Sequence, residues 1–264
     1  MFARHTQATA PVLLTSPHNP ILKDIRRAVA KGTLTGSGYA IAEGLHVVEE
    51  AIRSRAEVKA VIIAESLSED TLKFSGKELL RVPDSLFDAM SSTDTPQGAM
   101  ALVRPCEWTL DDLLTGNPLI VVLDGVQDPG NAGGIVRSAE AFGATGVLLL
   151  KGSVFPYNPK AIRASAGSVF RLPLLHGMES EAAIGALDSV QLYAAMPRAG
   201  SAVMETDLTA PCAFIIGSEG SGVSAAMAAK ARPIRVPTGD VESLNAGVAA
   251  AILIYEASRQ RGYR

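Results

Sequence analysis

The chain is poor in sulfur, aromatics and net charge, and each shortage excludes something. It has two cysteines, Cys106 and Cys212, far apart and without a ligand-like spacing. That excludes a disulfide framework and a cysteine-based metal site, and leaves two reduced, buried thiols as the expectation. Four scattered histidines (His5, His18, His46 and His176) offer no ligand set either, so no metal is expected. Aromatic residues make up only 5% of the chain, with one Trp. The longest apolar run, Ala246 to Tyr255, is far short of the roughly 20 residues that cross a bilayer. No apolar stretch follows a basic start, so no secretory leader is read and a cytoplasmic protein is expected. The formal charge of −3 argues against a strongly basic, nonspecific nucleic-acid binder, although the distribution of charge matters more than its sum.

What is present is aliphatic and well punctuated. Hydrophobic residues make up 47% of 264 residues, mostly Ala, Val, Leu and Ile, with 24 Gly and 15 Pro. This suits an α/β protein with short turns and room for one large or two modest domains. Residues 1–11 read as a frayed start. Residues 12–104 read as a small α/β unit. In it the spacing predicts helices over Ile21–Val29 and Leu45–Arg53, and strands over Tyr39–Glu43, Val58–Ala64, Leu79–Val82 and Ala99–Val103. Asp84 or Ser85 is the candidate cap of a further helix. Residues 105–117 read as a connector. Beyond it, apolar runs at 118–124, 146–150, 190–194 and 212–216 alternate with helical patterns, which predicts a parallel sheet with covered faces over 118–264.

Three segments of that second region carry chemistry. In Asp-Pro-Gly-Asn-Ala-Gly-Gly-Ile-Val-Arg (128–137), a strand runs through a turn into a helix, with Asn131 placed to cap it and Arg137 about two turns in. In Gly-Ser-Glu-Gly-Ser-Gly (217–222), three glycines let backbone approach a flat ligand, with Glu219 between them. The spacing fits neither a dinucleotide fingerprint nor a Walker loop. In Pro-Thr-Gly-Asp-Val-Glu-Ser-Leu-Asn (237–245), a polar turn delivers Ser243 and Asn245 to the start of an apolar helix, with Ser243 the expected N-cap.

In this order the segments resemble the three motifs of the SpoU (TrmH-like) branch of the SPOUT RNA methyltransferases. The first motif is matched by Asn131, Gly133 and Arg137, the second by Gly217 to Gly222, and the third by Pro237, Gly239, Ser243, Leu244 and Asn245. Thr238 stands where Met is usual in the family, and Ala246-Gly247 where Val-Ser is usual. The N-terminal half is similar to the family's substrate-binding domain through Asn19, Pro20, Lys23 and the pair Glu43-Gly44.

The resemblance implies a C-terminal parallel-sheet domain with a deep trefoil knot, which sequence rules alone would not suggest. It implies S-adenosylmethionine as cofactor, held by Ala195, Met196 and Pro197; by Gly217, Ser218, Gly220 and Gly222; by Ile234, Val236, Pro237 and Gly239; and by Leu244, Asn245 and Ala246. It implies methyl transfer to a ribose 2′-hydroxyl of RNA, ribosomal RNA ahead of transfer RNA, around Arg137, Asn131, Glu219, Ser243 and Asn245. Arg137 is expected to grip the RNA and stabilise the developing alkoxide, because a guanidinium is a poor base. Glu219 is expected to orient neighbours such as Asn131. Asn19, Lys23 and Arg26 are the RNA-binding candidates of the N-terminal half, although basic residues on such a helix can equally be a solvated face. The family is homodimeric, with the arginine reaching toward the partner's cofactor. Residues 248–255 would supply a dimer face or plain core. Two competitors remain: an RNA-binding module that has lost catalysis, and a nucleotide-binding oxidoreductase.

Overall fold

A computed structural model describes residues 11–54, 56–68 and 78–262. The frayed start expected at 1–11 therefore lies, apart from Pro11, outside the described residues. The chain forms two compact units. The first comprises residues 1–106 and 157–171, the second 107–156 and 172–264.

The first unit is a five-stranded sheet in the order β1-β4-β3-β5-β2, with β1 at Val12–Leu13, β2 at Ala40–Glu43, β3 at Glu57–Ala64, β4 at Glu78–Val82 and β5 at Ala99–Arg104. Helix α1 (Pro20–Lys31) opens with Pro at its first position and closes on Gly32, whose φ of 64° suits the left-handed C-cap. Its buried stripe, Leu22, Ile25 and Ala28, packs into one core with Ile41, Ile62, Leu80 and Phe87. Helix α2 (Leu45–Arg53) buries Val47, Val48 and Ala51. The next helix, α3 (Asp84–Asp88), is capped by neither expected residue. Pro83 holds the cap position, and the Asp84 carboxylate accepts from the Ser66 amide and hydroxyl instead.

The segment 157–171, expected in the C-terminal domain, belongs to this first unit. It holds the short helix α6 (Pro159–Ala164) and a 3-10 turn at Ser168–Phe170. Two arginines fasten it. Arg171 meets Glu50 at 2.7 Å, and Arg163 lies 3.5 Å from Glu43 and donates to Ser92 Oγ at 2.7 Å. Glu43 is 2% exposed and also accepts from the hydroxyls of Ser91 and Ser92 and the Ser92 amide. Removing a buried carboxylate that satisfies so many donors leaves all of them unpaired. Glu43→Ala is expected to cost about 3 kcal/mol of stability, read as a lower midpoint in urea unfolding.

The expected connector is also ordered. Its helix α4 (Leu110–Leu113) is set by a capping box in which Thr109 and Asp112 satisfy each other, and Leu113 is fully buried. The second unit is a seven-stranded sheet in the order β10-β12-β9-β11-β6-β7-β8. Its strands are β6 (Leu119–Asp124), β7 (Gly146–Leu150), β8 (Leu174–Met178), β9 (Gln191–Ala195), β10 (Ser201–Ala202), β11 (Cys212–Gly217) and β12 (Arg232–Arg235). All neighbouring pairs are parallel. Ile120, Val122, Ala213 and Ile215 share a core cluster with Ala183 of α7 (Ser180–Ala186), with Leu187 that caps its C-terminus, and with Met227 of α8 (Ala225–Ala228). The other face is covered by α5 (Pro129–Ala141) and α9 (Ala246–Gln260), which pack on each other. Alternate residues of one strand thus feed two cores, which is why these strands are continuously apolar.

Helix α9 carries an ion pair with a pH consequence. Arg259 bonds both Glu256 oxygens, at 2.9 and 2.8 Å, and pushes the Glu256 carboxyl down from 4.5 to about 2, with Gln260 helping. A depressed folded pKa stabilises above the unfolded value and is lost as pH falls through the folded one. The wild type should therefore lose this increment between pH 4.5 and about 2. Melting temperatures of Glu256→Gln should show a flatter acid limb over that window.

Candidate active site

A cavity of about 820 Å³ opens in the second unit, at the end of the sheet where β9, β11 and β12 finish. Parallel strands put these three C-terminal ends side by side, and their loops build its walls. After β9 come Met196, Pro197 and Arg198; after β11, Ser218, Glu219, Gly220 and Gly222; after β12, Val236 and Thr238, then Glu242 to Ala246. Ala195, Ile216, Ile234, Ala249 and Leu253 form the apolar remainder.

The glycine loop closes tightly. Ser218 and Gly222 exchange backbone hydrogen bonds at 3.1 and 3.0 Å, and Gly222 has a φ of 68°. Ser218 Oγ accepts from the Ser221 amide at 3.1 Å. A Cβ on Gly217 would lie 2.1 Å from the Gly222 carbonyl carbon and 2.2 Å from the Val223 nitrogen, so no side chain fits there. Asp124, buried at the end of β6, accepts from the Ser224 amide at 2.6 Å and anchors the far end of the loop.

Beside the cavity lies a three-residue polar chain. Asn245 caps α9, its Oδ1 accepting from the amides of Gly247 at 2.9 Å and Val248 at 3.2 Å. Its Nδ2 donates to Asn131 Oδ1 at 2.9 Å, and Asn131 Nδ2 donates to Glu219 Oε1 at 2.6 Å. The order fixes both carboxamide orientations. Backbone amides can only donate and a carboxylate can only accept, so each amide must face one way.

This corrects two expected caps. Asn131 does not cap α5; Asp128 does, accepting from the Asn131 amide at 2.7 Å. The Asn131 side chain is thereby free for Glu219. Ser243 does not cap α9 either; Asn245 takes that position and Ser243 lines the cavity.

The other candidates fall as follows. Pro237 and Gly239 sit in the turn after β12 but do not line the cavity. Arg198, Ile216, Glu242, Ala249 and Leu253 line it and are absent from the sequence-based set. Of the departures from the family pattern, Thr238 and Ala246 face it and Gly247 does not. Arg137 is exposed on α5, lines no part of the cavity, and makes no hydrogen bond or ion pair with the described residues. In the first unit, Asn19 is engaged as the α1 cap, accepting from the Ile21 amide at 2.9 Å. Arg26 folds back onto the carbonyls of Leu22 and Pro17. Lys23 remains exposed on the same helix. Among the described residues no three His, Cys, Asp or Glu side chains cluster as a metal site, and no helix is long and apolar enough to cross a membrane.

Comparison with known proteins identifies the family. Residues 118–255 match the SpoU rRNA Methylase family, and residues 19–101 match the MRM3-like substrate binding domain. A Bacillus subtilis 23S rRNA (guanosine(2553)-2′-O)-methyltransferase, RlmP, is 32% identical over 92% of this chain and 97% of its own. A solved RNA 2′-O ribose methyltransferase is 33% identical with a TM-score of 0.80, covering 95% of this chain and 99% of its own. An AdoMet-bound rRNA methyltransferase from Sinorhizobium meliloti is 28% identical with a TM-score of 0.80, covering 94% and 97%. With the second and third motif segments lining one cavity, Asn131 of the first bonded to both, and a match to a substrate-binding domain ahead of them, the chain belongs to the SpoU family of methyltransferases.

Proposed function

We propose that this protein transfers a methyl group from S-adenosylmethionine to a ribose 2′-hydroxyl of ribosomal RNA, acting as a cytoplasmic homodimer. The observation that carries the reading is the Asn245–Asn131–Glu219 chain beside a cavity walled by three loops of one parallel sheet.

The cavity suits the cofactor. Its apolar wall of Ile216, Ile234, Val236, Leu244 and Leu253 fits a flat, uncharged adenosine. The glycine loop brings backbone close where a side chain would intrude. When bound, S-adenosylmethionine supplies a methyl group on a positively charged sulfur that leaves as a neutral thioether.

The protein's part is to place the hydroxyl and ease its ionisation. Arg137 serves as a guanidinium cation, pairing with phosphate and stabilising the oxyanion as the hydroxyl proton passes to solvent water. Glu219, through Asn131 and Asn245, ties the second motif to the first and third, and so holds the loops in register.

Arg137 does not line its own chain's cavity, which supports delivery to the partner's. Val248, Ile252 and Tyr255 form an exposed apolar stripe on α9, 49%, 36% and 52% accessible, suited to that dimer contact. The helix's other side, Ala250, Leu253, Ile254 and Ala257, is core. The insertion of β11 between β9 and β6 supports the trefoil knot as part of this reading. Ribosomal RNA is favoured over transfer RNA because the rRNA-modifying relative matches both units along their length.

The test is transfer of labelled methyl to total ribosomal RNA and, separately, to total transfer RNA from a host lacking the modification. Label in a 2′-O-methylated nucleotide of ribosomal RNA is expected. Label only in transfer RNA would move the substrate. No label in either pool and no cofactor binding would favour the RNA-binding module. Sedimentation should give twice 27.5 kDa, and Ile252→Glu should return the monomer.

A further inference from the structure

The cavity holds more charge than an adenosine can use. Among the described residues, three ionisable side chains line it: Arg198, Glu219 and Glu242. Glu219 is engaged by Asn131 at 2.6 Å. Arg198 and Glu242 are exposed and make no hydrogen bond or ion pair with the described residues, including with each other.

Their placement follows from the sheet. Arg198 lies three residues beyond the end of β9 at Ala195, and Glu242 lies in the loop after β12. These strands are paired in parallel, Ala195 opposite Ile234, and the pairing continues into the loops through the Met196 amide and the Ile234 carbonyl at 2.9 Å. Both loops therefore leave the same end of the sheet, and the two opposite charges share one cavity unpaired. Two unpaired opposite charges that line one cavity are matched by a ligand that is a zwitterion at one end.

We infer that Arg198 and Glu242 form the subsite for the amino-acid end of the cofactor, Arg198 taking the carboxylate and Glu242 the ammonium group. This rests on the cofactor assignment proposed above. A charge-assisted hydrogen bond is stronger than a neutral one, and a guanidinium suits a carboxylate in two-point fashion. The pair thus selects ligands carrying the intact amino acid over those carrying the nucleoside alone.

The experiment is equilibrium titration with three probes: S-adenosylhomocysteine, decarboxylated S-adenosylmethionine, and 5′-methylthioadenosine, which lacks the amino acid. Wild type should prefer S-adenosylhomocysteine to methylthioadenosine by about tenfold or more. Arg198→Gln should weaken S-adenosylhomocysteine by about five- to tenfold and leave the other two unchanged. Glu242→Gln should weaken both ammonium-bearing probes and spare methylthioadenosine. Variants that bind S-adenosylhomocysteine like wild type, or lose all three probes equally, would overturn the subsite. So would Arg198→Gln losing only RNA affinity, which would place that charge on the substrate. Wild type that binds none of the probes would bring down the cofactor assignment itself, a distinguishable failure.

Discussion

Arg137→Ala is expected to lower methyl transfer by about 10²- to 10³-fold while leaving S-adenosylhomocysteine affinity within about twofold. The split follows from where the residue sits. It lies on α5, six positions beyond Asn131, exposed and apart from the cavity of its own chain. A side chain that stabilises developing charge but does not touch the cofactor changes turnover without changing cofactor binding. Single-turnover rates and calorimetric titration of the same preparation read the two effects. Arg137→Lys should recover only a small part of the rate, since lysine keeps the charge but not the planar fork. A parallel loss of cofactor affinity would relocate Arg137 to the cofactor site and defeat the assignment.

The second large effect is expected at Gly217. Its added methyl in Gly217→Ala would lie 2.1 Å from the Gly222 carbonyl carbon, 2.2 Å from the Val223 nitrogen and 2.4 Å from the Gly222 oxygen. All three are backbone atoms, so no rotamer change relieves the clash and the loop must open. Opening it breaks the Ser218–Gly222 pairing and shifts Glu219 away from Asn131. Cofactor affinity should fall by more than about 100-fold, and stability by about 2–3 kcal/mol, as for an overpacked site. Gly220→Ala is the stability control, because nothing lies within 4 Å of its added methyl. The two variants also test delivery across the dimer. Subunits of Arg137→Ala and Gly217→Ala, each inactive alone, should recover up to about a quarter of wild-type activity when mixed, since a hybrid dimer rebuilds one site. No recovery would place the arginine in its own chain's site.

Much of this site was readable because its residues are concentrated in three short segments. What spacing could not show was their meeting: Asn131 and Glu219 are 88 positions apart, and Asn131 and Asn245 are 114 apart. The helix starts misled for a local reason. Asp128 and Asn131 are both good caps three residues apart, and Pro129 between them was the deciding signal, since proline favours the first helical position. Arg198 was missed because Pro-Arg-Ala-Gly reads as an ordinary turn, and only the pairing of β9 with β12 gives it significance. β8 was missed because His176 and Gly177 interrupt the apolar Leu174, Leu175 and Met178 on this short edge strand, and β10 is only two residues long. Lys23 and Arg26 looked alike in sequence, yet only Arg26 is tied to its own backbone. The placement of 157–171 left no trace in composition, because it depends on long-range pairs such as Glu50 with Arg171.

That segment affects how the protein is made. Synthesis is directional, and an N-terminal domain ordinarily folds while the rest is still being translated. Here the first unit cannot be completed when residue 106 emerges, because Arg163 and Arg171 are still to come. At about 5–20 residues per second, the 65 residues from 106 to 171 take roughly 3–13 s. During that interval Glu43 lacks its cation while β6, α5 and β7 of the other unit are already outside the ribosome. The two units therefore mature as interleaved partners instead of in succession. A fragment cut at the apparent boundary near residue 106 would be a nascent intermediate, whereas one rejoining 1–106 to 157–171 would carry both the Glu43–Arg163 and the Glu50–Arg171 pairs.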